Sequence, residues 1–241
     1  DLVAFVWRPA RWANWMFEVE SYDRTTSNFT FGKGGNQGAR GNNEGGDFFV
    51  QGVLEELDYP SEFHFDRKNA MLYVYHNGTG APPSDGWIVP DKFVLVNLTG
   101  TQYNPVKDVH LSNVKYTASG ATYMERHGVP SAGDWALDRF AAVFLQGTEN
   151  VTVSDCAFER VDGNAVMVSG YNRNATIVDS DFSFIGGNAI ALWGYTNETE
   201  FDPGRPGVRL ENFPEAGVDG TDGEHPRYTT VKGCTVREVG L

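Results

Sequence analysis

One stretch of the sequence gathers the side chains that could do chemistry. Residues 118–140 hold Glu125, Arg126, His127, Asp134, Trp135, Asp138 and Arg139, and Asp162 follows shortly after. Cleavage of a glycosidic bond uses two carboxyl groups, roughly 5–5.5 Å apart for retention and 6.5–9.5 Å for inversion. Glu125, Asp134, Asp138 and Asp162 are the candidate catalytic carboxyls. Trp135, Arg139 and His127 are candidate substrate-binding groups, because aromatic rings stack on sugar faces and a planar guanidinium forks onto oxygen acceptors. Asp and Glu together number 32, so a carboxyl pair near any loop is also expected simply as loop anchors and solvated charge. No His or Cys spacing matches a metal site, and no cofactor motif is present. The glycine-rich run Gly32–Gly46 lacks the Gly-Lys-Ser/Thr ending of a phosphate cradle and reads as a turned loop.

These residues must be held by something, and a repeat provides it. Asn150–Tyr171 (NVTVSDCAFERVDGNAVMVSGY) is echoed by Asn174–Tyr195 (NATIVDSDFSFIGGNAIALWGY). The echo aligns Val153 with Ile177, Phe158 with Phe182, Asn164 with Asn188 and Gly170 with Gly194. A 24-residue unit with two short apolar alternations separated by Gly/Asn turns is too short for a domain and the right length for one coil of a β-solenoid. Weaker copies extend it. Leu98 and Leu145 match Val168 and Leu192, Leu111–Tyr116 matches Val153–Phe158, and Val231–Val236 matches them again. Asn164 and Asn188 are expected to form an amide ladder at a corner, and Asp155 and Asp179 to be exposed turn residues.

Residues 1–86 are expected to form an N-terminal β-rich segment, including a hairpin of Glu62–Phe65 with Met71–Tyr75. Residues 87–241 are expected to be the coils, interrupted by loop insertions at 118–140 and 196–228. The last residues, Arg237–Leu241, stop within a coil, which predicts a continuing chain or self-association with a neighbouring copy at that end. No leader precedes Asp1, so the sequence is expected to begin after processing or inside a longer protein.

The net charge of −13 argues against nucleic acid and against anionic lipid as partners, and no apolar run is long enough to span a membrane. Six N-x-T sequons occur, at Asn28, Asn77, Asn97, Asn150, Asn174 and Asn197, where chance predicts about two. They predict covalent N-linked glycans and a secreted, extracellular eukaryotic protein. Cys156 and Cys234 fall in the same slot of the coil with Ser180 between them. With rungs about 4.8 Å apart the sulfurs are out of bonding reach, so both are expected to be free.

On its Val-x-Val/Ile-x-Asp-Cys/Ser-x-Phe strands and Gly-Asn-Ala-Val/Ile turns, the chain resembles the right-handed parallel β-helix, or pectin-lyase-like, superfamily. More narrowly it is similar to large secreted β-helix repeat proteins related to glycoside hydrolases. The resemblance implies an all-β right-handed parallel β-helix and a carbohydrate as partner. It does not carry over an active site, because the Asn-Thr-Asp, Gly-His-Gly and Arg-Ile-Lys signatures of polygalacturonases are missing and the pectate lyase calcium cluster finds no match. Two functions follow. The first is a structural or glycan-binding module of an extracellular or cell-surface assembly such as a filament. The alternative is a glycoside hydrolase-like enzyme acting on an extracellular polysaccharide at the 118–140 loop.

Overall fold

The computed structural model describes residues 2–9, 11, 14–35, 45–125, 127, 138–194, 200–202, 205–208 and 225–240. The described residues are all-β, and most of their strand residues lie in parallel sheets. It divides into two compact units. The first comprises residues 1–87 with 124–126 and 132–135. Its main sheet is antiparallel, in the order β3 (Asn28–Gly34), β2 (Asn14–Asp23), β1 (Val3–Trp7), β4 (Phe48–Gln51). Phe5 stacks on Phe49 at 4.9 Å and Phe17 on Phe31 at 4.5 Å, aromatic pairs that cement neighbouring strands. A separate antiparallel pair joins β5 (Phe63–Asp66) to β6 (Met71–Val74), its turn braced by Asp66 accepting from the backbone of Lys68 and Asn69.

The second unit is built from short strands that repeat in rotation. β7 (Val96–Thr99) and β8 (Val106–Lys107) are followed by β9 (His110–Ser112) and β10 (Lys115–Thr117). The next circuit is β11 (Ala141–Glu149), β12 (Thr152–Ser154) and β13 (Ala157–Val161), and the one after is β14 (Asn164–Arg173), β15 (Thr176–Val178) and β16 (Asp181–Ile185). Then come β17 (Ile190–Trp193), an antiparallel pair β18 (Glu200–Asp202) and β19 (Arg205–Val208), β20 (Pro226–Arg227), β21 (Thr230–Lys232) and β22 (Thr235–Val239). Three parallel sheets result, in the orders β7-β11-β14-β17, β9-β12-β15-β21 and β10-β13-β16-β22.

The register follows the sequence repeat, so like residues form columns. Leu111, Val153, Ile177 and Val231 line up, as do Tyr116, Phe158, Phe182 and Val236. The rings of Tyr116, Phe158 and Phe182 stack at 4.7 and 4.8 Å, one per rung. Corners repeat too. Asp108, Asn150, Asn174 and Tyr228 share a left-handed φ of 55–60°, and Asn113, Asp155, Asp179 and Gly233 one of 50–68°. Asn, Asp and Gly tolerate this region best, which explains their recurrence. Ala118, Arg160, Phe184 and Glu238 form a third such column. Ala118 and residues 226–228, assigned to the insertions on sequence grounds, therefore belong to the repeating circuit. Sequence alone missed this because Ala118, Arg160 and Phe184 share a backbone angle but no side-chain chemistry.

Cys156 and Cys234 are both free. Cys156 is buried, its backbone N–H donating to Ser180 Oγ at 3.1 Å, so the intervening rung fills the gap between the sulfurs.

Candidate functional site

The corner that leads into β14 carries the carboxyls. Asn164 is fully buried and works as a four-way bracket. Its Nδ2 donates to the Asp138 carbonyl (2.6 Å) and the Phe140 carbonyl (3.0 Å), and its Oδ1 accepts from Asn188 N–H (3.1 Å) and Asn188 Nδ2 (2.8 Å). The amide ladder thus exists and fixes the backbone of Asp138 against the sheet. Buried amides hold position only when every donor and acceptor is matched, as here.

Two carboxyls flank Gly163 in unlike surroundings. Asp138 accepts from the Thr122 hydroxyl and from the Phe140 N–H (2.9 Å), donors that suit an ionised acceptor. Asp162 is half-buried, and among the described residues its carboxyl accepts no hydrogen bond. Burial alone pushes its pKa above the ordinary aspartate value. Its backbone is pinned instead, because Ser119 Oγ accepts from Asp162 N–H (2.9 Å) and donates to the Asp162 carbonyl (3.0 Å). Gly163 has φ +70°, and a Cβ there would lie 2.9 Å from Thr122 Oγ1 and 3.2 Å from Asp138 Oδ2. Only glycine permits the approach of the two carboxyl-bearing segments. A Cβ on Gly186, one rung on, would sit 3.0 Å from Asp162 Oδ1.

Arg139 is spent on the sheet. Its guanidinium donates to Ser169 Oγ (3.1 Å) and to the carbonyls of Trp193 (3.4 Å) and Gly194 (2.9 Å). Glu125 groups with the first unit, where it pairs with Lys33. His127 is half-buried in the second unit. Asp134 and Trp135 lie outside the described residues. The structure therefore brings together Asp138 and Asp162 from the sequence candidates, adds Ser119, Thr122 and Gly163, and directs Arg139 elsewhere, to Ser169 and the end of β17. The match of Tyr116 with Phe158, extended by three residues, sets Ser119 opposite Val161, one place short of Asp162, so the repeat by itself did not single out Ser119 or Thr122.

Five sequon asparagines, Asn28, Asn77, Asn97, Asn150 and Asn174, are exposed, and Asn197 lies outside the described residues. Asn174 Nδ2 donates to Asn150 Oδ1 (3.1 Å), and Asn150 Nδ2 to Asp108 Oδ1 (3.0 Å), a second ladder on an outer corner. Beside it, Glu149 accepts from the Tyr171 hydroxyl (2.7 Å) and pairs with Lys107 (2.6 Å), while Arg173 stacks over the Tyr171 ring at 4.3 Å. The Lys107 contact holds the Glu149 carboxyl below its ordinary pKa. Among the described residues no three His, Cys, Asp or Glu side chains converge as metal ligands, and no helix is long and apolar enough to cross a membrane.

No protein-family model and no curated protein sequence matches the chain. A solved structure described as a glycoside hydrolase is similar over 99% of this chain, with a TM-score of 0.74 and 16% sequence identity. The chain spans 45% of that structure's length. At this identity the similarity is one of fold.

Proposed function

We propose that the chain is the β-helical part of a secreted carbohydrate-active protein that cleaves an extracellular polysaccharide, with Asp162 as general acid and Asp138 as base or nucleophile. The asymmetry of the two carboxyls around Gly163 carries this reading. One is half-buried and, among the described residues, accepts no hydrogen bond, so its pKa is raised and its protonated form is favoured relative to an ordinary aspartate. The other receives two donors. Two carboxyls with environments that divide them into proton donor and anion are what glycosidic cleavage uses. The similarity to a glycoside hydrolase in fold supports the same reading.

A right-handed parallel β-helix over residues 87–241 is supported by the rotation of successive strands through three parallel sheets and by the strong right-handed preference of parallel crossovers. Residues 1–86 form its N-terminal β-rich domain in this proposal. The exposure of five sequon asparagines supports a secreted eukaryotic glycoprotein. A second reading, a non-catalytic glycan-bearing structural module, is favoured by the Asn150–Asn174 ladder, which sets two sequons one rung apart on an exposed corner.

The test is release of reducing ends from a panel of neutral and acidic polysaccharides by the glycosylated protein. Cleavage lost in Asp162→Asn with folding intact supports the enzyme. No cleavage of any polymer, with end-to-end particles in electron micrographs, supports the structural module.

A further inference from the structure

We propose that the side-chain amide of Gln146 is a saccharide-binding donor, held in one orientation by a hydrogen-bond relay that begins at Arg139. The proposal rests on the carbohydrate reading above and locates a contact on the outer face of the same sheet. Thr99, Gln146, Ser169 and Trp193 align across β7, β11, β14 and β17. Their neighbours Leu98, Leu145 and Val168 belong to the core, so this column faces away from it.

The chemistry of the relay gives the amide its direction. Ser169 is fully buried; its Oγ accepts from Arg139 and donates to Gln146 Oε1 at 3.2 Å. A guanidinium has no acceptor, and the hydroxyl proton is turned to Gln146, which presents its oxygen inward and its Nε2 outward. Arg139 cannot swing away, because its other bonds hold the Trp193 and Gly194 carbonyls. Gln146 is half-buried, and its Nε2 has no partner among the described residues yet is not sealed from solvent. A pre-oriented amide donor of this kind suits a hydroxyl, ring oxygen or carboxylate of a sugar. Trp193, two rungs or about 10 Å away, offers an aromatic surface to a neighbouring sugar of the same chain.

The saccharide has two sources. It is a free polysaccharide, or it is the protein's own glycan on Asn97, which lies on β7 with Thr99 Oγ1 donating to its Oδ1 at 2.5 Å. Calorimetric titration of the full glycosylated chain with xylohexaose, cellohexaose, mannohexaose and hexagalacturonate, repeated on Asn97→Gln, separates them. Capture by the wild type identifies the free polymer, and capture only by Asn97→Gln identifies displacement of the internal glycan; both support the site. In whichever background binds, Gln146→Ala and Gln146→Glu are expected to weaken affinity at least tenfold at an unchanged melting temperature. Ser169→Ala, which lets the amide rotate, is expected to lose less. Wild-type affinity in Gln146→Ala overturns the proposal while leaving the carbohydrate reading in place. Absence of capture in both backgrounds, with no polymer cleaved, overturns both.

Discussion

Replacing Asn164 by Ala removes four hydrogen bonds from a fully buried corner. The Phe140 carbonyl keeps its bond from the Asn164 N–H, but the Asp138 carbonyl and the Asn188 N–H lose the partners found for them. Orphaning a buried polar group costs about 1–3 kcal/mol, and a satisfied bond contributes about 1 kcal/mol net. The sum is about 3–6 kcal/mol, a large share of a typical domain stability of about 5–15 kcal/mol. Asn188→Ala removes only one of the four bonds, the one from its Nδ2, because its backbone N–H still reaches Asn164 Oδ1. Its cost is about 1 kcal/mol. For a chain of this size each kcal/mol moves the melting point by about 2–4 °C, so Asn164→Ala is expected to melt about 10 °C lower and Asn188→Ala only a few degrees. Urea unfolding monitored by tryptophan fluorescence gives the two free energies directly. Equal losses from the two variants refute the bracket.

Three further outcomes are expected. Phe158→Ala empties the middle of the Tyr116–Phe158–Phe182 stack and should cost about 3–5 kcal/mol in denaturant unfolding, whereas a loss under 1 kcal/mol contradicts the packing. Gly163→Ala drives a methyl against Thr122 and the Phe140 carbonyl at a left-handed φ, and should destabilise by about 1–3 kcal/mol and abolish polysaccharide cleavage; a fully active variant contradicts the close approach. Asp162→Asn should melt above the wild type at pH 7. Burial raises the folded-state pKa, so the ionised carboxylate subtracts stability as pH rises from the unfolded value toward the folded one. Below the unfolded value near 3.8 the group is neutral in both states and the gap should close. A gap that widens in acid has the wrong sign for this account.

Much of the second unit was legible because its repeat is chemical. Phe158 above Phe182 and Val153 above Ile177 are alike in sequence and paired in space, since a rung that buries one face needs like volumes stacked on like. The ladder of Asn164 and Asn188 was legible for the same reason. Strands β1 and β2 of the first unit were not. Asn14–Val19 is half-buried at every position, so the polar–apolar alternation that marks a strand is absent there. The surroundings of Asp162 were hidden because Ser119 and Thr122 are common residue types more than forty positions from it or from its glycine partner, and only the register makes them neighbours. Arg139 was singled out for its charge, but the carbonyls of Trp193 and Gly194 that occupy it carry no side-chain signature.

The central claim is that Asp162 and Asp138 divide the work of proton donor and anion. It is tested most directly by the pH dependence of kcat/KM for polysaccharide cleavage in the wild type, Asp162→Asn and Asp138→Asn, with binding measured in parallel. A bell-shaped profile in the wild type, and a loss of about a thousandfold or more in each variant at unchanged affinity, is the predicted result. Cleavage by Asp162→Asn at the wild-type rate and with the wild-type profile would contradict the assignment.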